Sequence, residues 1–156
     1  MKTILIKYIS VDDDVKGIRE NQSSEAIGRY MEKYESGTSK PILVKEIDRQ
    51  HFILIDGHHR LEACKKLKYE KIDVEPIEID DKNIYARAVE ENQGHGVSLT
   101  KDEEEKIIGE LIKRGRLQID IAKILTKTNG RISQIIKSSK ILTSLIAKQT
   151  NISTTI

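Results

Sequence analysis

The chain has 156 residues, 33% of them charged and 4% aromatic, with no tryptophan and a formal net charge of +2. That length holds one ordinary domain or two small ones. A single cysteine excludes an internal disulfide framework and fits a reducing cytoplasm, no apolar run approaches membrane-spanning length, and the first residues lack a signal-peptide pattern.

Ile4 to Ile9 alternates loosely and reads as a first strand, followed by an acidic, solvated turn at Asp12–Asp14. After Gly17-Ile18-Arg19-Glu20-Asn21, Ser23 or Ser24 caps a helix through about Tyr34, with Ile27, Tyr30, Met31 and Tyr34 as its apolar stripe. Gly37 to Pro41 is a loop. Ile42-Leu43-Val44 is a strand that turns at Ile47–Gln50 into a second strand, Phe52–Ile55, as a hairpin.

Asp56-Gly57 breaks that strand, because glycine reaches backbone conformations other residues avoid. From His59 the period becomes helical, with Leu61, Ala63, Cys64 and Leu67 inward and Lys65, Lys66 and Lys68 outward; Cys64 is a core residue. A strand ending in glycine and feeding a helix points unpaired N–H groups at an anion, and Arg60 can grip phosphate oxygens through two parallel bonds. The plain alternative is a solvated or helix-capping His pair. A metal fits poorly, since Asp56, His58 and His59 are too close together to converge and lack a spaced partner set.

Ile72 to Ile79 alternates around Pro76 and reads as an edge strand. A helix starting at Asp80-Asp81 carries Ile84, Ala88 and Val89 and ends near Glu91-Asn92, and Gly94-His95-Gly96 is a joint. Thr100 and Glu103 form a capping box for a helix that runs to about Arg114, with Ile107, Ile108, Leu111 and Ile112 inward, and stops at Gly115.

The back of the chain is basic. Residues 113–148 hold nine Lys or Arg and one acid, Asp120, against eighteen basic and twenty-four acidic residues in the first 112. A separate nucleic-acid-binding module produces this split. Gln118–Leu125 is a short helix, Thr126–Gly130 a turn, Arg131–Ser138 a second helix and Lys140 to about Ala147 a last one. Ala122, Thr126 four later and Ile132 ten later have helix-turn-helix spacing, although glycine is commoner than Thr126 at the turn. The outward face offers Lys127, Thr128, Asn129, Arg131, Ser133, Gln134 and Lys137 to base edges and phosphates, making double-stranded DNA the expected partner. A plain helical hairpin with a solvated basic face is the alternative.

Ile55-Asp56-Gly57-His58-His59-Arg60-Leu61-Glu62-Ala63 resembles the phosphate-binding turn of the ParB/sulfiredoxin-like superfamily, of the form Gly-x-x-Arg followed by a helix with a small residue. Glu91-Asn92, Leu99 and Glu103 match a second ParB motif, but its arginine is missing, with Gly94 and His95 near its place. The resemblance covers about residues 1–148. It implies an α+β ParB/sulfiredoxin-like nucleotide-binding domain over 1–95, an all-α helix-turn-helix DNA-binding domain over 96–148, and a polar tail over 149–156.

It further implies that Arg19, Gly57, His58, His59, Arg60 and Asn92 bind a nucleoside triphosphate, CTP foremost, with magnesium on Glu91 and Asn92 and CTPase-like hydrolysis through Glu91. The implied setting is plasmid or chromosome partition in the cytoplasm, on the nucleoid or a plasmid, with a ParA-like ATPase as partner and homodimer formation. The family's C-terminal dimerisation domain does not follow residue 148, so the chain is a fragment or dimerises differently. Asp-Gly-His-His-Arg also resembles the free-serine kinases, which would make Glu20 a catalytic base in a phosphotransferase. Nuclease activity is a further alternative with little support from the spacing of acids. His58 stands where sulfiredoxins carry their catalytic cysteine, so that chemistry is not expected.

Overall fold

Alternating apolar side chains give the first half its strands. Ile42 and Val44 on β3 (Ile42–Asp48), Phe52 and Leu54 on β4 (His51–Asp56), and Ile72 and Val74 on β5 (Lys71–Ile77) share one buried cluster. Phe52 is 1% exposed, and burying one such ring stabilises the fold by about 2–3 kcal/mol. In this computed structural model, residues 1–18, 24–93 and 99–154 are described, and the chain forms two compact units, Met1–Ala88 and Val89–Ile156.

The first unit holds a five-stranded sheet of order β1-β5-β3-β4-β2. β3 and β4 form the expected hairpin, Asp48 facing His51 across Arg49-Gln50, and Asp48 Oδ1 accepts the Gln50 N–H at 2.8 Å. The expected single first strand is instead two, β1 (Lys2–Leu5) and β2 (Ile9–Ser10), joined by a 3-10 turn at Ile6–Tyr8. β1 pairs antiparallel with β5 at one edge, and β2 pairs parallel with β4 at the other. Leu5 to Ile9 spans at most about 14 Å of chain. Four spacings of a flat sheet need about 19 Å, so the sheet curls until its edges approach.

β5 corrects a second expectation. It lies inside the sheet, antiparallel to β1 and parallel to β3. Pro76 is tolerated because β1 pairing stops at Val74 and leaves the proline past the doubly paired stretch. Asp12, expected in a solvated turn, caps a short helix α1 (Asp13–Lys16) through the Asp14 and Val15 N–H groups.

Two longer helices, α2 (Ser24–Glu35) and α3 (His58–Lys66), complete this unit, with Leu61 and Cys64 of α3 in the sheet's core. Burial pushes the Tyr34 phenol up to about 12 and the Cys64 thiol up to about 11. Cys64 is a core residue, as the sequence suggested, and such burial leaves a thiol inert. After a 3-10 turn at Asp81–Asn83, α4 (Ile84–Asn92) carries the chain across the boundary between the units.

The second unit is helical among its described residues: α5 (Lys101–Lys113), α6 (Gln118–Ile124), α7 (Asn129–Ser138) and α8 (Lys140–Thr154). The capping box forms as expected, Glu103 N–H donating to Thr100 Oγ1 at 3.1 Å and Thr100 N–H to Glu103 Oε1 at 2.9 Å. Ile107, Ile108 and Leu111 of α5, Ile121 and Leu125, Ile132, and Leu142 of α8 are all at most 2% exposed. α8 runs past the expected end near Ala147, and Gln149 Nε2 donates to the Ile112 carbonyl in the last turn of α5 at 2.9 Å.

Four helices end alike. After α2, α3, α5 and α6 a residue of positive φ lets two N–H groups reach back to the last turn's carbonyls. Glycine fills that place after α2 and α5, but Lys68 (φ 61°) and Thr126 (φ 56°) fill it after α3 and α6.

Candidate functional site

β4 delivers Asp56 and Gly57 to the start of α3. Gly57 adopts φ 115°, ψ 29°, a left-handed conformation that side chains strongly disfavour. A Cβ there would lie 2.5 Å from Ile42 Cγ2, so both backbone and neighbour demand glycine. The first turn of α3 aims its N–H groups out of the helix end, with Leu61 the first to bond back, to the Gly57 carbonyl at 2.8 Å. His58 and His59 are half-buried beside it. Burial holds the His58 imidazole below the usual 6.5 against the opposing pull of Glu62, which favours the neutral ring at pH 7.

Arg60 behaves differently from the sequence reading. Its Nη1 donates to the carbonyls of Lys40 (3.2 Å) and Pro41 (2.7 Å), and its Nη2 to Asp56 Oδ2 at 3.2 Å. The residue is 9% exposed. The bonds expected toward phosphate are made to the chain itself, tying the loop before β3 to the strand end before α3. The sequence offered no signal for those carbonyl partners, which lie nineteen and twenty residues upstream.

The mouth of the turn thus combines a glycine cradle closed to any Cβ, a helix N-terminus and two imidazoles, a set suited to an anionic phosphate. Glu91 and Asn92, half-buried in the last turn of α4, belong to the second unit. Among the described residues no group of three or more His, Cys, Asp or Glu side chains converges as a metal site. A carboxylate and an amide oxygen would be able to supply two ligands to a magnesium ion. Arg19 and Glu20 lie outside the described residues.

In the second unit, α7 begins at Asn129, two residues earlier than expected, because the Thr128 hydroxyl accepts the Arg131 N–H at 3.1 Å and caps the helix. Thr128, Asn129, Arg131, Gln134 and Lys137 are exposed and Ser133 is half-buried. Lys127 is drawn inward, its ammonium 3.2 Å from Oε2 of the buried Glu104 on α5. Gln118, unremarked in the sequence, joins this group by donating to Asn129. Thr126 takes the left-handed turn position that its spacing from Ala122 suggested.

The profile of the ParB N-terminal domain matches residues 10–93. No curated protein matches the chain. Among solved structures, the C-terminally truncated chromosome-partitioning protein ParB from Caulobacter crescentus, complexed to the centromeric parS site, is 17% identical. Its TM-score is 0.63, over 87% of this chain and 70% of that one. The same protein complexed with CTP-gamma-S is 17% identical with a TM-score of 0.51, over 95% and 85% of the two chains. A pNOB8-like ParB N-domain is 15% identical with a TM-score of 0.61, over 89% and 64%. These likenesses concern the fold, an α+β ParB N-domain accompanied by helices.

Proposed function

The chain belongs to the ParB N-terminal domain family, and on that premise we propose that it is a nucleotide-responsive, DNA-binding partition protein. The observation that carries this reading is the turn at Gly57, where a side chain is sterically barred and a helix N-terminus opens. A nucleoside triphosphate, CTP foremost, places its phosphates over Gly57, His58 and His59, while Arg60 holds the turn from behind. Glu91 and Asn92 would hold magnesium through a carboxylate and an amide oxygen. A neutral His58 ring can donate one hydrogen bond without adding fixed charge.

The basic second unit supplies the DNA contact. α6 and α7 act as a helix-turn-helix, with Arg131 and Lys137 on phosphates and Asn129, Ser133 and Gln134 toward base edges in the major groove. The relative complexed to parS supports this reading, and the one complexed with CTP-gamma-S supports the choice of nucleotide. Pairing with a second copy, association with a ParA-like ATPase and residence on nucleoid or plasmid DNA belong to the same proposal. Among the described residues no helix is long and apolar enough to cross a membrane.

Equilibrium titration with CTP, ATP and ADP in magnesium, alongside duplex DNA binding across a salt series, tests this. The expected result is selective CTP binding, and DNA affinity that falls by about 0.9 log unit per log unit of salt for each phosphate contacted. A protein that binds none of the nucleotides, or duplex DNA with no salt dependence, overturns it.

A further inference from the structure

The start of α7 carries an amide whose orientation is decided by its neighbour on α6. Gln118 Nε2 lies 3.0 Å from Asn129 Oδ1 and 3.3 Å from the Asn129 backbone carbonyl. A backbone carbonyl only accepts, so the Gln118 atom facing it is the NH2 group. That NH2 then requires an acceptor from the Asn129 side chain, which sets the Asn129 oxygen toward Gln118 and its own NH2 away from it. Asn129 is exposed. The neighbouring Thr128 hydroxyl is already occupied in capping Arg131.

We propose that Gln118 is a positioning residue for DNA specificity: it locks Asn129 so that α7 presents a donor-only amide to the major groove. This rests on α7 being the DNA-reading helix. Guanine offers two adjacent acceptors there, O6 and N7, whereas adenine sets its N6 donor beside N7. A free asparagine amide matches adenine with its oxygen and nitrogen together; an amide whose oxygen is turned to Gln118 favours guanine.

The test is selection from a pool of duplexes with a randomised core, using the full chain. Asn129→Ala identifies the base pair concerned, as the position where selectivity disappears. The wild type is expected to prefer guanine over adenine there by about tenfold. Gln118→Ala should cut that preference to about twofold, with salt dependence and thermal unfolding unchanged, since a bare shape role would move neither base choice alone nor one position alone. Asn129→Asp, which keeps the Gln118 bond, should shift the preference to cytosine, whose N4 donates. The inference is overturned if Gln118→Ala keeps the full wild-type preference, or if Asn129→Ala alters no position while DNA binding persists. Failure of the wild type to bind any duplex overturns the proposed function instead.

Discussion

The carboxylate of Asp56 and the guanidinium of Arg60 meet at 3.2 Å across the glycine turn, with side chains 19% and 11% exposed. They are the last residue of β4 and the third of α3, so the pair staples a strand end to a helix start. Nη1 extends the staple to Lys40 and Pro41.

Arg60→Ala removes one partner from three acceptors near the core. Truncating one side of a largely buried, hydrogen-bonded charge pair costs about 3–5 kcal/mol. Urea unfolding should show that loss, together with weakened nucleotide binding through distortion of the turn. Arg60→Lys should recover only part of it, because a single ammonium does not span the three acceptors. Full stability in Arg60→Ala would mean that the staple is idle.

Gly57→Ala sets a methyl 2.5 Å from Ile42 Cγ2 on a backbone of φ 115°. The strained conformation alone costs about 1–2 kcal/mol, and the displaced Ile42 adds to it. A loss of at least about 2 kcal/mol in chemical denaturation is expected, and a neutral substitution would contradict the geometry.

Thr126 makes the opposite case. A β-branched residue at φ 56° is strained, and Thr126 itself is exposed. Thr126→Gly should stabilise the chain by about 0.5–1 kcal/mol, read as a rise in the unfolding midpoint. Glycine gives back some unfolded-state entropy, so the gain is smaller than the whole strain.

His58 predicts a pH dependence. Burial lowers its folded pKa below the usual 6.5, so between the two values the unfolded chain binds more protons. Stability conferred by the neutral ring is therefore present above 6.5 and declines as pH falls through that window. His58→Gln should flatten this part of the stability-against-pH curve, and an unchanged slope would exclude the residue as its source.

Lys127 and Lys137 should separate cleanly. Lys127→Met leaves Glu104, 8% exposed, without its cation, and should destabilise by about 2–3 kcal/mol. The salt slope of DNA binding should hold. Exposed Lys137→Ala should leave stability within about 0.5 kcal/mol and reduce that slope by about 1. Slopes equal to that of the wild type in both variants would argue that neither lysine meets phosphate.

Local signals settled a good deal of this protein in advance. The β3–β4 hairpin, the break at Gly57, the Thr100–Glu103 capping box and the apolar stripe of α5 all stand where the pattern set them. Each depends on residues a few positions apart, whose periodicity or backbone preference acts within one or two turns of chain. Tertiary structure decided the rest. Residues 2–10 split between opposite edges of one curled sheet, since strand pairing is chosen by distant partners such as Val74 and Phe52. Arg60 found its acceptors at Lys40 and Pro41, Lys127 found Glu104, and Gln118 found Asn129. A hydrogen-bonding group takes whichever complementary atom the packed chain brings within about 3 Å, and sequence spacing does not carry that distance.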